Sequence, residues 1–259
     1  MNLPRMLFFD IDNTLLDTLT HTIPSTTVEA LNQLHQRGYG ICIATGRSLE
    51  LVRSLNIESL VPWTLYILNN GQMILDHNQN ILRWHLFTSQ TVKAVLDRAK
   101  KLSITVFLGS PDGDLLVGPV NDYVTTANGF FKEPIPAQGQ YDDRRVDKII
   151  LYEDKAFDWS VFSDIEGIDI HQTMTTSADT VVAGVSKHAS IQEGLTLMNL
   201  PDYYIAFGDS LNDVEMLTHA PISVAMANGV DEAKRVAHYI AQPVHDDGIV
   251  KMLNQLGYL

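Results

Sequence analysis

The chain is short of cysteine, of basic residues and of long apolar runs, and each shortage excludes something. One cysteine in 259 residues, Cys42, cannot close an internal disulfide. It lies in the apolar run Ile41-Cys42-Ile43-Ala44 with no base beside it, and reads as a small core residue, not a nucleophile. Sparing use of cysteine suits a reducing compartment, and a cytoplasmic location is expected. The first apolar stretch stops at Asp10, too soon for a signal-peptide core. No run of roughly eighteen apolar residues occurs, so no membrane partner is expected. Lysine and arginine number 18 against 31 aspartate and glutamate, a formal net charge of −13. That balance argues against nucleic acid, which requires a basic face. What is present is an ordinary globular complement, 45% hydrophobic and 19% charged, long enough to bury a core without staples.

Read along the chain, residues 6–10 form a short apolar run ending in a carboxylate, which suits a buried parallel strand. Residues 26–37 predict a helix, with Thr26 and Glu29 at capping-box spacing and Gly38 placed to end it. Strands follow at 39–44 and 64–68 around a helix at 48–55, and this alternation predicts right-handed crossovers in a parallel sheet. The middle changes character. It offers a hairpin around 76–80, an amphipathic helix at 89–102, a hairpin through Ser110–Asp114 and a short helix at 121–131. A loop at 132–145, a strand at 146–152, a helix at 155–163 and two strands within 168–184 complete it. Strand–helix alternation then resumes through 187–199, 203–207, a helix holding Val214 and Leu217, 222–226, 231–237, 239–240 and 248–256. The expected fold class is α/β, a doubly wound parallel-sheet (Rossmann-like) core interrupted by an α+β domain. The divisions are 1–84 for the first part of the core, 85–183 for the insert and 184–259 for the rest.

Two places join carboxylates to strand ends, where open α/β sheets bind ligands. In Asp10-Ile11-Asp12-Asn13-Thr14, two acids just past a buried strand are costly unless a positive group joins them. The same residues also suit a turn in which Asp12 or Asn13 caps local backbone. In Gly208-Asp209-Ser210-Leu211-Asn212-Asp213, two acids four apart lie within one helical turn. An all-oxygen set of this kind suits magnesium; an N-capped helix with an acidic first turn is the plainer alternative. Thr45-Gly46-Arg47 supplies a hydroxyl and backbone N–H groups at a helix start, either a cap or a phosphate cradle. Lys187 stands at a helix N-terminus, where the dipole disfavours it unless an anion is near.

These segments, in this order, resemble the haloacid dehalogenase superfamily of phosphohydrolases, over nearly the whole chain. The first matches its Asp-x-Asp-x-Thr motif, Thr45 its second, Lys187 its third, and Asp209 and Asp213 its Gly-Asp-x-x-x-Asp motif. Ala44-Thr45-Gly46-Arg47, Asn70-Gly71, Val185-Ser186-Lys187, Ala225-Met226-Ala227-Asn228 and Asp247-Gly248-Ile249 resemble the Cof-type subgroup, whose α/β cap (type IIB) is inserted between the second and third motifs. The chain departs from that pattern at Asn13, His188 and Ala227, where glycine is usual. His188 either touches substrate or is an exposed first-turn residue.

The resemblance implies a magnesium-dependent hydrolase of small phosphorylated metabolites such as sugar phosphates. Asp10 would be the nucleophile, forming an aspartyl phosphate, and Asp12 the general acid and base. Asp10, the backbone carbonyl of Asp12, Asp209 and Asp213 would serve the metal. Thr45, Gly46 and Lys187 would hold phosphate, and Arg47, Asn70 and Asn212 are candidates for substrate contact. A bound cation and a few placed side chains would then reverse locally the repulsion that the acidic chain exerts on a phosphate. A monomer or homodimer is expected. Rival readings are a phosphotransferase or phosphomutase with the same nucleophile, a non-catalytic metabolite sensor, and a plain magnesium or calcium module. The complete acidic set argues against the sensor, and the threonine and lysine against the plain metal module.

Overall fold

The computed structural model describes residues 5–131, 134–172 and 176–259. In chain order its elements begin with β1 (Met6–Phe9), α1 (Ser25–Gln36), β2 (Gly40–Ala44), α2 (Leu49–Ser54), β3 (Leu65–Leu68), β4 (Met73–Asp76) and β5 (Ile81–Trp84). There follow α3 (Ser89–Leu102), β6 (Thr105–Gly109), β7 (Leu115–Val117), α4 (Asp122–Phe131), β8 (Lys148–Tyr152), β9 (Ile168–Gln172) and β10 (Ala178–Val182). The chain closes with α5 (Lys187–Leu197), β11 (Tyr204–Gly208), α6 (Val214–His219), β12 (Ile222–Met226), α7 (Asp231–Val236), β13 (Tyr239–Ala241) and α8 (Gly248–Gln255). Internal contacts divide it into two compact units, Met1–Arg83 with Ser186–Leu259, and Trp84–Val185.

The first unit is built on an eight-stranded sheet of order β13-β12-β11-β1-β2-β3-β4-β5. From β13 to β3 every pairing is parallel, and β4 runs antiparallel to β3. Successive residues of β1 point to opposite faces, so both faces need apolar side chains. Leu7 and Phe9 pack with α1, α2 and α8 through Leu31, Leu34, Val52, Met252 and Leu253. Met6 and Phe8 pack with α5, α6 and α7 through Ile191, Leu195, Met216, Leu217 and Ala233. Helices therefore cover both faces, and each such side chain contributes about 1.5–3 kcal/mol on burial. Cys42 lies in the second cluster, and burial pushes its thiol well above the ordinary range. The chain leaves β1 toward β2 and later returns on the other flank through β11. The strand order thus reverses at β1, the place where doubly wound sheets open a crevice.

The second unit is a five-stranded sheet of order β7-β6-β8-β10-β9, antiparallel throughout. Val92, Val95 and Ala99 of α3 pack on one face, against Val106, Leu108, Ile149 and Leu151. Val124 and Ala127 of α4 pack on the other, with Leu116 and Tyr152. The Trp84 indole donates to Asp147 at 3.0 Å, and the Arg145 guanidinium lies 5.5 Å from the centre of its ring.

Two local expectations fail. No capping box forms at α1, because the Thr26 hydroxyl donates to Asp247 instead. The helix expected at 155–163 is a single tight turn, Trp159–Phe162, in which Asp158 accepts from the amide of Ser160 and Phe157, Trp159 and Phe162 cluster. Residues 132 and 133 of the expected loop, and 173–175 between β9 and β10, lie outside the described residues.

Candidate active site

Asp10 and Asp209 each follow the last residue of a fully buried strand, β1 and β11, which lie side by side. The amide of Asp10 donates to the carbonyl of Phe207 at 3.0 Å, which continues the ladder to the carboxylate itself. Lys187 is the first residue of α5, whose Ser186 cap accepts from the amide of Ala189. The lysine is 1% exposed, and its Nζ donates to Asp10 Oδ1 and Asp213 Oδ1, each at 2.7 Å. The anions that the helix start demanded are thus the protein's own carboxylates.

Asp213 uses its other oxygen to accept the amides of Asp209 at 2.9 Å and Ser210 at 3.0 Å. Its carboxyl folds so closely under the turn that a Cβ at Gly208 would lie 2.6–2.8 Å from it. Glycine stands there for that close approach. Thr14, fully buried, donates to Asp209 Oδ1 at 3.3 Å.

One carboxylate oxygen from each of Asp10, Asp209 and Asp213 falls within 4.8 Å of the others. Burial, reinforced by Asp213 and Asp12 and opposed by Lys187, raises Asp10 to about 7. Burial, then Asp10 and Asp213, raises Asp209 to about 9. Burial works against the charge on Lys187, but its two carboxylate partners outweigh it and hold the ammonium above its ordinary value. With all three acids ionised, one ammonium would leave two negative charges uncompensated, which is why the metal-free cluster holds protons. Hard oxygen donors with that excess suit a divalent cation. Asp213 already spends both oxygens on hydrogen bonds, so its part is chiefly to support the others.

Asp12, close enough to reinforce the rise at Asp10, spends its carboxylate on a different partner. Its carboxylate takes a two-pronged pair from Arg47, Nε to Oδ2 at 2.8 Å and Nη2 to Oδ1 at 2.7 Å. The Arg47 amide donates to the buried Thr45 hydroxyl at 3.1 Å. The Thr45 carbonyl accepts from the amide of Asn70 at 3.0 Å, and a Cβ at Gly46 would meet Asn70 Oδ1 at 3.0 Å. Asn212 Nδ2 donates to Asn70 Oδ1 at 2.8 Å. The structure therefore gathers Asp10, Lys187, Asp209 and Asp213 in one cluster, joins Asp12 to Arg47, and joins Asn70 to Asn212. Sequence reasoning missed Thr14 as a partner of Asp209, although it stands in the first motif, and the Arg47–Asp12 pair, which nothing local signals. His188 is half-buried rather than exposed. It stacks on His219 with ring centres 4.7 Å apart and shares a hydrogen bond with the Tyr204 hydroxyl at 3.2 Å. Burial first, then His219, lowers its pKa.

A family profile for haloacid dehalogenase-like hydrolases matches residues 7–253. The Bacillus subtilis protein YkrA is 28% identical over 98% of both chains. The 5-amino-6-(5-phospho-D-ribitylamino)uracil phosphatase YcsE of the same organism is 25% identical over 96% of this chain and 94% of its own. Among solved structures, the subclass IIB sugar phosphatase BT4131 is 27% identical, with a TM-score of 0.87 over 98% of this chain and 100% of its own. No helix among the described residues is long and apolar enough to cross a membrane.

Proposed function

The chain belongs to the haloacid dehalogenase-like hydrolases, and we propose that it is a phosphatase that passes the phosphoryl group of a small metabolite to Asp10 and then to water. The observation that carries this reading is the buried contact of Lys187 with Asp10 and Asp213 beside Asp209. A solvated lysine or a plain capped turn has no use for it. In the first step an Asp10 oxygen forms a bond to phosphorus, the bond to the leaving oxygen breaks, and Asp12 supplies that oxygen with a proton. In the second, Asp12 takes a proton from water, the water oxygen bonds to phosphorus, and Asp10 is released with inorganic phosphate. Lys187 offsets charge on the phosphoryl oxygens, while Thr45 and the backbone beside Gly46 hold the group in line.

Asp10, Asp209 and the Asp12 carbonyl would hold magnesium, with Asp213 in support. When bound, the cation would keep Asp10 ionised and neutralise phosphoryl charge. Arg47 holds the ionised Asp12 carboxylate between the two proton transfers, and Asp12 leaves this pair to carry its proton; Asn70 and Asn212 orient each other toward substrate. A sugar phosphatase and a phosphoribityl phosphatase among the relatives support a sugar-like phosphate ester as substrate. We assign the choice among such esters to the unit Trp84–Val185, as the cap of this family.

The test is phosphate release from an aryl phosphate and a panel of sugar phosphates, with magnesium or chelator, for wild type and Asp10→Asn. Magnesium-dependent release that vanishes in the folded variant is expected. Equal release by the variant would remove Asp10 as nucleophile.

A further inference from the structure

The phrase Ala225-Met226-Ala227-Asn228 takes no part in the chemistry above, yet its loop touches both acidic strand ends. Beyond β12, Asn228 Nδ2 donates to the carbonyl of Asn13 at 2.8 Å, and its Oδ1 accepts the amide of Val244 at 3.3 Å. Gly229 then lies on the backbone of Asp209, where a Cβ would come within 2.4 Å of the carbonyl oxygen and 2.8 Å of the Cα. The amide of Val230 donates to that same carbonyl at 2.8 Å. Residues 228–230 thus grip the turn after Asp12 on one side and Asp209 on the other. The strand order β12-β11-β1 brings the three loops together.

Asn228 is exposed, so core packing does not demand an amide there. A hydrogen bond within the protein replaces one to water, so its net contribution to stability is modest. Both ends of this side chain are nevertheless spent on backbone groups of two other loops. One of these, Asn13, sits in the left-handed region with φ 54, and its own side chain accepts from the Thr18 hydroxyl. We infer that Asn228 is a positioning residue that fixes the Asp10–Asn13 turn against Asp209 and so sets the spacing of the oxygens offered to the cation. The inference rests on the phosphatase reading above.

Asn228→Ala removes both bonds. Asn228→Asp keeps an acceptor for Val244 but sets an oxygen against the Asn13 carbonyl. Three readouts apply: magnesium affinity by calorimetry, hydrogen exchange of residues 11–16 in metal-free protein, and kcat and KM on 4-nitrophenyl phosphate. For Asn228→Ala, magnesium binding and kcat fall roughly 10–100-fold, the range for residues that orient metal ligands. KM stays unchanged and exchange at 11–16 quickens. Unchanged magnesium affinity and kcat overturn the inference, as does a loss of thermal stability alone. Wild-type kcat in Asn228→Asp also overturns it, since the bond to Val244 would then suffice. A wild-type protein that neither binds magnesium nor releases phosphate sinks the phosphatase reading itself, and this inference with it. That failure is visible before any variant is made.

Discussion

Replacing Lys187 by methionine keeps most of the stem's volume and removes the ammonium that Asp10 and Asp213 share. Removing one partner of a buried ion pair costs about 3–5 kcal/mol, because the other charge stays buried and uncompensated. Here the cost depends on pH. Lys187 pulls both Asp10 and Asp209 downward, so without it they move further up from about 7 and about 9. A carboxyl whose folded pKa exceeds its unfolded value of 3.8 binds more protons folded than unfolded between the two values. Stability then falls as pH rises through that window, by at most about 1.4 kcal/mol per pH unit for each proton. Below about 7 both proteins hold the Asp10 proton, so the additional proton separates them only above that value, by roughly 3 kcal/mol over the next two units. The variant's deficit is therefore expected to stay constant up to about pH 7 and to grow by roughly 3 kcal/mol between about pH 7 and pH 9. Urea unfolding with chelator at several pH values measures this. A deficit under about 1 kcal/mol at pH 9, or one that does not change between pH 7 and pH 9, would refute the argument.

Magnesium held by the acidic cluster would require Asp10 and Asp209 ionised. The thermal upshift it produces should grow as pH rises through about 7 toward about 9; scanning fluorimetry reads it, and an upshift that shrinks instead contradicts the site. Gly208→Ala drives a Cβ into the Asp213 carboxyl, costing about 1–3 kcal/mol as an overpacked contact. Phosphate release should drop with it, and a variant with wild-type turnover would show that the turn yields easily. Arg47→Lys replaces a fork with a point charge and leaves Asp12 loosely held. Turnover of alkyl phosphates, which need a proton on the leaving oxygen, should fall about tenfold more than that of 4-nitrophenyl phosphate. Equal slowing of both substrates would count against Asp12 as the proton donor.

Much of the core was legible because parallel strands buried on both faces are almost uniformly apolar. The runs at β1, β2, β3, β11 and β12 stand out for that reason, and Asp10 and Asp209 for ending two of them. Lys187 was legible as a conflict with its own helix. Interactions set by strand order were not legible. Arg47 reaches Asp12 across 35 residues and Asn228 reaches Asn13 across 215, and no local pattern ties either pair. Thr26 misled because a capping box is only one use for its hydroxyl, and Asp247 from the far end of the chain took it instead. The helix expected at 155–163 failed where Asp158 bonded the backbone two residues ahead, the usual way a short acidic side chain competes with a helix.

The pairing of β1 with both β2 and β11 has a consequence for synthesis on the ribosome. Met6 is opposite Gly40 on one side and Tyr204 on the other. The early chain can pair β1 with β2 at once, but the opposite edge of that strand stays bare until more than half of the protein has been made. A bare, apolar edge invites pairing with another nascent chain. The interval lasts through translation of the whole second unit. Slow elongation there, or a stop before β11, would therefore produce aggregation rather than a smaller working enzyme, since Asp209 and Asp213 are also still to come.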